Sequence, residues 1–278
     1  MGKLDGKVAF ITGAARGQGR NHAIRMAEEG ADIIIVDICK QIDNVPYTMP
    51  SAADLSDTVH AIERAGGRVV AREADVRDVA ELVSVVDEGV RRFGRLDIVS
   101  VNAGVFGPLE DVPDIAARVA NFRMVVDVNL TGAFCTVEAS RQALIDSGGG
   151  SIIVTSSLAG IRPLSAGGGY SESKHGVVGL MRSYAQQLAP FSIRVNSVHP
   201  TNVNTPMIMN DAVSRAFCPG IDDPSEDDVK RSLSFLNMLP VPFVECDDIT
   251  NAVMWLASDE SRYVTGVTLP VDAGGALK

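Results

Sequence analysis

Short apolar, β-branched runs recur along the chain at residues 8–11, 33–36, 69–71, 96–101, 152–155, 193–198 and 267–271. The stretches between them carry apolar residues at helical spacing instead. Ala23, Met26 and Ala27 mark one face over 17–29, and Leu82, Val86, Val90 and Phe93 mark one over 79–93. Strands that alternate with helices imply βαβ units and a parallel sheet. The strand-like runs are apolar at nearly every position rather than at every second one, so both faces of that sheet should be covered by helices. The prediction is a doubly wound α/β fold: a seven-stranded parallel sheet between two helical layers, with residues 1–278 forming a single domain.

Two segments break this rhythm. Residues 39–52, with Pro46 and Pro50, are long for a connection between a strand and a helix, and 201–245 is rich in Met, Phe and Pro. Neither has the composition of a linker, so both read as insertions in the domain, the second as a substrate loop.

Directly after the first run stands Thr12-Gly13-Ala14-Ala15-Arg16-Gly17-Gln18-Gly19, leading into a helix. Glycines at that turn let backbone amides and the helix N-terminus approach a pyrophosphate, as in a Rossmann-like dinucleotide site. Asp37 ends the second run about 20 residues further on, where a carboxylate can accept from the adenosine ribose hydroxyls of NAD. Arg16 points the other way, because a guanidinium could contact the extra phosphate of NADP. A carboxylate about 4 Å from that phosphate would cost about 4 kcal/mol per unit charge at an effective dielectric near 20, so Asp37 decides for NAD.

Composition narrows the choice of partners. A 46% hydrophobic content and a mean hydropathy of +0.13 suit a globular core. The longest apolar stretches stop well short of the roughly 20 residues of a membrane span. A net charge of −10 disfavours nucleic acid and anionic membranes. The N-terminal segment has no secretory pattern, and Cys39, Cys135, Cys218 and Cys246 form no CxxC or Cys/His cluster. Cytoplasmic small-molecule chemistry with reduced thiols follows, and no metal is expected: His22, His60, His175 and His199 are scattered without ligand spacing. Gly148 to Gly150 and Gly167 to Gly169 read as turns flanking the catalytic elements.

The chemistry is carried by Tyr170-Ser171-Glu172-Ser173-Lys174, since residues four apart on a helix share a face. A neighbouring ammonium favours a phenolate, so Tyr170 could take an alcohol proton while a hydride leaves for a nicotinamide. Ser157 lies thirteen residues earlier, just beyond the fifth run. Asn129 sits in Val128-Asn129-Leu130-Thr131-Gly132, and Asn102-Ala103-Gly104 follows the fourth run.

In that order and spacing the TGxxxGxG loop, the NAG turn, the helix asparagine, Ser157 and YxxxK resemble the short-chain dehydrogenase/reductase family over essentially the whole chain. The closing segment, with Thr265-Gly266 and Val271-Asp272-Ala273-Gly274-Gly275, is also similar. The resemblance implies that Ser157 bonds the substrate oxygen, Tyr170 is the acid/base, and Lys174 binds the nicotinamide ribose and tunes Tyr170. Asn129 would hold a water connecting Lys174 to solvent. Asp75 and Val76 would flank the adenine. Asn102, Ala103 and Gly104 would lie along the cofactor, and Pro200, Thr201 and Val203 beside the nicotinamide. It also implies a homotetramer. Two positions depart from the family pattern: Val101 stands where many members have a second asparagine, and Thr201 where glycine is usual.

Residues 17–22 and the long segment after Asp37 are similar to the carveol dehydrogenase-like, mycofactocin-associated branch. There NAD is thought to stay bound and pass electrons to a peptide-derived redox carrier; the 39–52 segment would lie near the adenosine end and slow exchange. Expected walls for an apolar cyclic or terpenoid alcohol are Phe106, Leu158, Leu164, Met207 and Phe217. An NADP-dependent ketoacyl-thioester reductase and a non-catalytic dinucleotide sensor are the alternatives.

Overall fold

The computed structural model describes residues 2–109, 112–164 and 168–278. In chain order, β1 (Val8–Thr12), α1 (Gly17–Glu28), β2 (Asp32–Asp37), α2 (Ala52–Arg64), β3 (Val69–Glu73), α3 (Val79–Phe93) and β4 (Ile98–Val101) form the first half. The second half comprises α4 (Ile115–Val126), α5 (Gly132–Asp146), β5 (Gly150–Thr155), α6 (Tyr170–Leu188), β6 (Ile193–Pro200), α7 (Asp211–Phe217), α8 (Glu226–Ser234), α9 (Cys246–Ala257) and β7 (Thr268–Val271). The seven strands pair in parallel in the order β3-β2-β1-β4-β5-β6-β7. All seven predicted runs become strands, with ends shifted by a residue or two.

The near-continuous apolar character of the runs has a direct cause. In β1, Val8 and Phe10 enter a core shared with Leu82 and Val86 of α3 and Val177 and Met181 of α6. Ala9 and Ile11 enter the opposite core, with Ala23 and Met26 of α1 and Ile249 and Val253 of α9. Strand β2 divides in the same way, Ile34 and Val36 to one side and Ile33 and Ile35 to the other. Each strand thus needs two apolar faces, which removes the period-2 alternation.

Sheet order reverses between β1 and β4, so their carboxyl ends open the crevice where ligands bind in doubly wound folds. The two irregular segments converge above it. Residues 38–51 connect β2 to α2, which starts at a capping box between Ser51 and Asp54. The 201–245 region folds into α7 and α8. Both contribute to a third apolar cluster, where Val45 and Tyr47 pack with Phe106, Val213 and Leu233. Gly148 and Gly149 form the expected turn with positive φ, and Gly169 has φ +84 immediately before α6. Gly167 lies outside the described residues.

Candidate active site

The glycine loop is dictated by backbone proximity. Gly13 and Gly17 have φ of +67 and +58. A Cβ on Gly19 would lie 2.2 Å from the Gly13 carbonyl oxygen, and one on Gly13 would lie 2.8 Å from Ala103 Cα. The residue before α1, Arg16, is extended and makes no side-chain cap, so the first-turn amides are left for a ligand. Thr12 joins this loop to the NAG turn: its hydroxyl accepts from the amides of Asn102 (3.1 Å) and Ala103 (3.2 Å). Asn102 returns its side-chain amide to the carbonyls of Thr12 and Gly13. The single asparagine therefore ties β4 to β1, and Val101 is free to be a core residue.

Asp37 is buried at the end of β2 and accepts from the Ala15 amide at 2.9 Å. Burial raises its pKa, with backbone amides of Ala15, Cys39 and Ile38 and the Arg16 charge opposing the shift. Arg16 lines the same cleft as Asp37 and is engaged by the segment after β2. Its guanidinium bonds the Thr48 carbonyl and lies 5.9 Å from the centre of the Tyr47 ring. The same cleft is lined by Gly13, Gln18, Asp75, Val76 and Gly104, with Met207 from the substrate segment.

The residues predicted to be catalytic gather at the carboxyl ends of β4 and β5. Tyr170 opens α6 and Lys174 lies one turn on, its ammonium 5.7 Å from the Tyr170 ring centre and donating to the Thr155 carbonyl at 2.9 Å. The Ser157 side chain hydrogen-bonds the Tyr170 phenol. Burial raises the Tyr170 pKa, the Ser157 bond opposing it, and burial brings Lys174 down to about 8. Each group of this enclosed pair loses water, and for the phenol that loss outweighs the Ser157 bond.

Asn129 is placed by a π-helical turn, Asp127–Thr131, between α4 and α5. Its Oδ1 accepts from the Val105 amide at 2.8 Å, and its Nδ2 donates to the Val105 carbonyl (2.9 Å) and to Ser173 Oγ (3.0 Å). The side chain is thus a clamp between the NAG turn and the catalytic helix. Gly104 fits between them, since a Cβ there would be 3.3 Å from both Asn129 Oδ1 and Lys174 Nζ.

The family model for short chain dehydrogenases matches residues 7–215. The chain belongs to that family. It is 46% identical to (-)-trans-carveol dehydrogenase of Rhodococcus erythropolis, with all of both chains covered. A crystal structure of carveol dehydrogenase from Mycobacterium avium in complex with NAD superposes with a TM-score of 0.96 at 49% identity, covering both chains completely. A short chain dehydrogenase from Mycobacterium paratuberculosis bound to NAD gives 0.87 at 47% identity, again over both whole chains.

The other residues predicted for the site in this short-chain dehydrogenase are held by the fold in different ways. Pro200 ends β6, and Thr201 is buried with its hydroxyl on Asn237 Oδ1 at 2.7 Å, which uses the polarity that a glycine would lack. Val203 is buried in a bridge to Val244. Leu158 is fully buried, close enough to Gly275 that a Cβ there would collide with it. Leu164 is 40% exposed. Phe106 and Phe217 join the third apolar cluster beside Tyr170. His175 bonds the Ser171 carbonyl in its own helix.

The sequence reading missed Thr12, Tyr47, Thr205 and His199. His199 Nδ1 contacts the Ser157 carbonyl at 2.9 Å and Nε2 contacts Ser197 Oγ at 2.8 Å, so the histidine braces Ser157 from behind. Thr205 lies against the glycine loop, its Cγ2 3.3 Å from where a Gly17 Cβ would be. Only Thr12, inside the glycine motif, carried a local signal.

Proposed function

We propose that this chain is an NAD-dependent dehydrogenase of secondary alcohols, acting on an apolar cyclic or terpenoid alcohol and its ketone. The observation that carries the reading is the convergence of Ser157, Tyr170 and Lys174 at the end of a cleft whose glycine cradle has no room for a Cβ. Gly13, Gly17, Gln18 and Gly19 would hold the pyrophosphate, Asp37 the adenosine ribose, Asp75 and Val76 the adenine, and Asn102 to Gly104 with Lys174 the nicotinamide half. Gln18 Oε1, buried without a partner in that cleft, fits a dinucleotide better than an empty groove. Bound NAD supplies the hydride acceptor.

The chain's own residues handle the proton. Ser157 hydrogen-bonds the alcohol oxygen and orients it toward the Tyr170 phenol oxygen. Tyr170 acts as its phenolate, which the buried Lys174 ammonium stabilises, and becomes a neutral phenol on taking the hydroxyl proton as the hydride leaves. Asn129 keeps α6 and the NAG turn in register through Ser173 and Val105.

Three finer readings accompany this one. NAD is retained between turnovers and reoxidised by a mycofactocin-type carrier, supported by the clasp of Arg16 on Thr48. The chain assembles as a homotetramer built partly from the helices around Asn129 and Tyr170, supported by Val119 and Phe122 of α4 and Phe134 of α5, which are exposed. It works in the cytoplasm, which suits its four free cysteines.

Tyr170→Phe tests the central claim. It should keep NAD in the protein yet lower kcat/KM for cyclic alcohols by about 10³-fold, in the usual range for a lost acid/base group. Unchanged turnover would refute the mechanism. Purification of the protein without NAD, with ready turnover on added NAD, would refute retention.

A further inference from the structure

We propose that Tyr47, carried by the segment between β2 and α2, is a specificity-determining wall of the alcohol pocket that admits single-ring alcohols to Tyr170 and excludes fused-ring ones. The proposal rests on the alcohol dehydrogenase reading above. Residues 39–52 were expected only at the adenosine end, yet the Tyr47 ring packs 4.8 Å from the Phe106 ring, which meets the Tyr170 ring edge-on at 6.4 Å. The insertion, the turn after the cofactor motif and the acid/base residue form one aromatic series. The cluster continues into the substrate segment through Val213 and Leu233.

The wall is braced rather than loosely draped. Gln41 Nε2 donates to the carbonyls of Val45 (3.2 Å) and Tyr47 (3.3 Å), and its Oε1 accepts from the Met49 amide at 3.0 Å. Arg16 grips the next carbonyl, Thr48, and places its cation over the ring. Pro46 and Pro50 limit the backbone on either side. A ring held from both sides fixes the width of a pocket, whereas a free loop would adapt to its ligand.

Stability does not explain the choice of tyrosine. Tyr47 is 7% exposed, and its hydroxyl is buried with no well-formed hydrogen bond to any described residue, the Phe106 amide lying nearby. Phenylalanine would fill the same volume without burying an unpaired hydroxyl. A polar group kept at such a place is a mark of a ligand site.

The test compares the parent, Tyr47→Ala, Tyr47→Leu and Tyr47→Phe on cyclohexanol-type and decahydronaphthol-type alcohols. In Tyr47→Ala and Tyr47→Leu the ratio of kcat/KM for single-ring over fused-ring alcohols should fall about tenfold or more, mostly through KM. Tyr47→Phe, which keeps the ring, should hold the parent ratio within about twofold. Calorimetric binding of the matching ketones to NADH-loaded Tyr170→Phe, with and without Tyr47→Ala, should show the same shift without turnover. An unchanged ratio in the alanine and leucine variants, or an equal loss for both alcohols through weaker NAD binding, would overturn the proposal. If the parent oxidises no alcohol at all, the function reading fails and the calorimetric ratio still decides this one.

Discussion

The glycine loop and the substrate segment face each other across one cleft, with Thr205 lying against Gly17, but they are shaped by different forces. The loop owes its form to the backbone: positive φ at Gly13 and Gly17, and van der Waals contact between Gly19 and the Gly13 carbonyl. The substrate segment owes its form to side chains, with Phe217, Val213 and Leu233 packed into a small apolar cluster. A backbone-built site accepts almost no substitution and recognises a constant group. A site built from side-chain volumes accepts many substitutions and can recognise a variable one.

Gly19→Ala should produce the largest effect and would break this contrast if it did not. Its methyl would sit 2.2 Å from the Gly13 oxygen and 2.7 Å from Asn102 Nδ2. The loop, the NAG turn and the pyrophosphate cradle must all shift, so NAD affinity should fall roughly a hundredfold or more, read by fluorescence titration with NADH. Phe217→Leu, a comparable change in the substrate segment, should leave NADH affinity within about twofold and alter alcohol KM instead. Equal losses of NADH affinity in the two variants would show that the regions do not divide the work in this way.

Next in size is the effect of the Asp37 charge, proposed to select the dinucleotide. Asp37→Asn keeps an acceptor for the Ala15 amide while removing the carboxylate charge. Repulsion of about 4 kcal/mol between that carboxylate and a ribose phosphate would disappear, raising NADP affinity relative to NAD by about 10² to 10³. Competitive titration of the two reduced dinucleotides measures the ratio. No change would mean that Arg16, held by Thr48 and Tyr47, or the shape of the cleft sets the preference instead.

The same division explains what could be read from the residues. Strands, their order of appearance, the glycine loop and the Tyr170–Lys174 pair were legible because each depends on short-range pattern: β-branched runs, glycine spacing, and one turn of helix. Val203 and Leu158, assigned to the ligand, are both buried, and an apolar residue after a strand reads alike for ligand and for core until the fold closes. Tyr47 and His199 were passed over for the opposite reason. Tyr47 meets Phe106 across 59 positions of sequence, and His199 meets Ser157 across 42, contacts that leave no local trace. The expected effect of Lys174 on Tyr170 had the correct partners and an incomplete balance, since burial depth cannot be read from spacing.

Two buried histidines, one in α1 and one in β6, carry the smallest expected effect and extend the comparison to stability. His22 of α1 is fully buried and its pKa is lowered to about 3 by burial. His199 of β6 is lowered to about 4, again mainly by burial. Above pH 6.5 both are neutral folded or unfolded, and neither costs stability. Below it the unfolded chain takes up protons that the folded chain refuses, so stability falls as pH drops. The loss attributable to each is about 2 kcal/mol at pH 5. It ends near pH 4 for His199 and continues to about 3 for His22. Burial is the main cause for both; at His199 the Ser157 carbonyl opposes it, whereas His22 bonds Thr250 through Nδ1 and its Nε2 is buried without a partner among the described residues. Urea unfolding at about pH 7.5 and pH 5 should therefore show an acid loss smaller by about 2 kcal/mol in His22→Gln than in the parent. An identical acid loss in the two proteins would mean that α1 opens locally to admit the proton, and that the cofactor side of the cleft is the softer one.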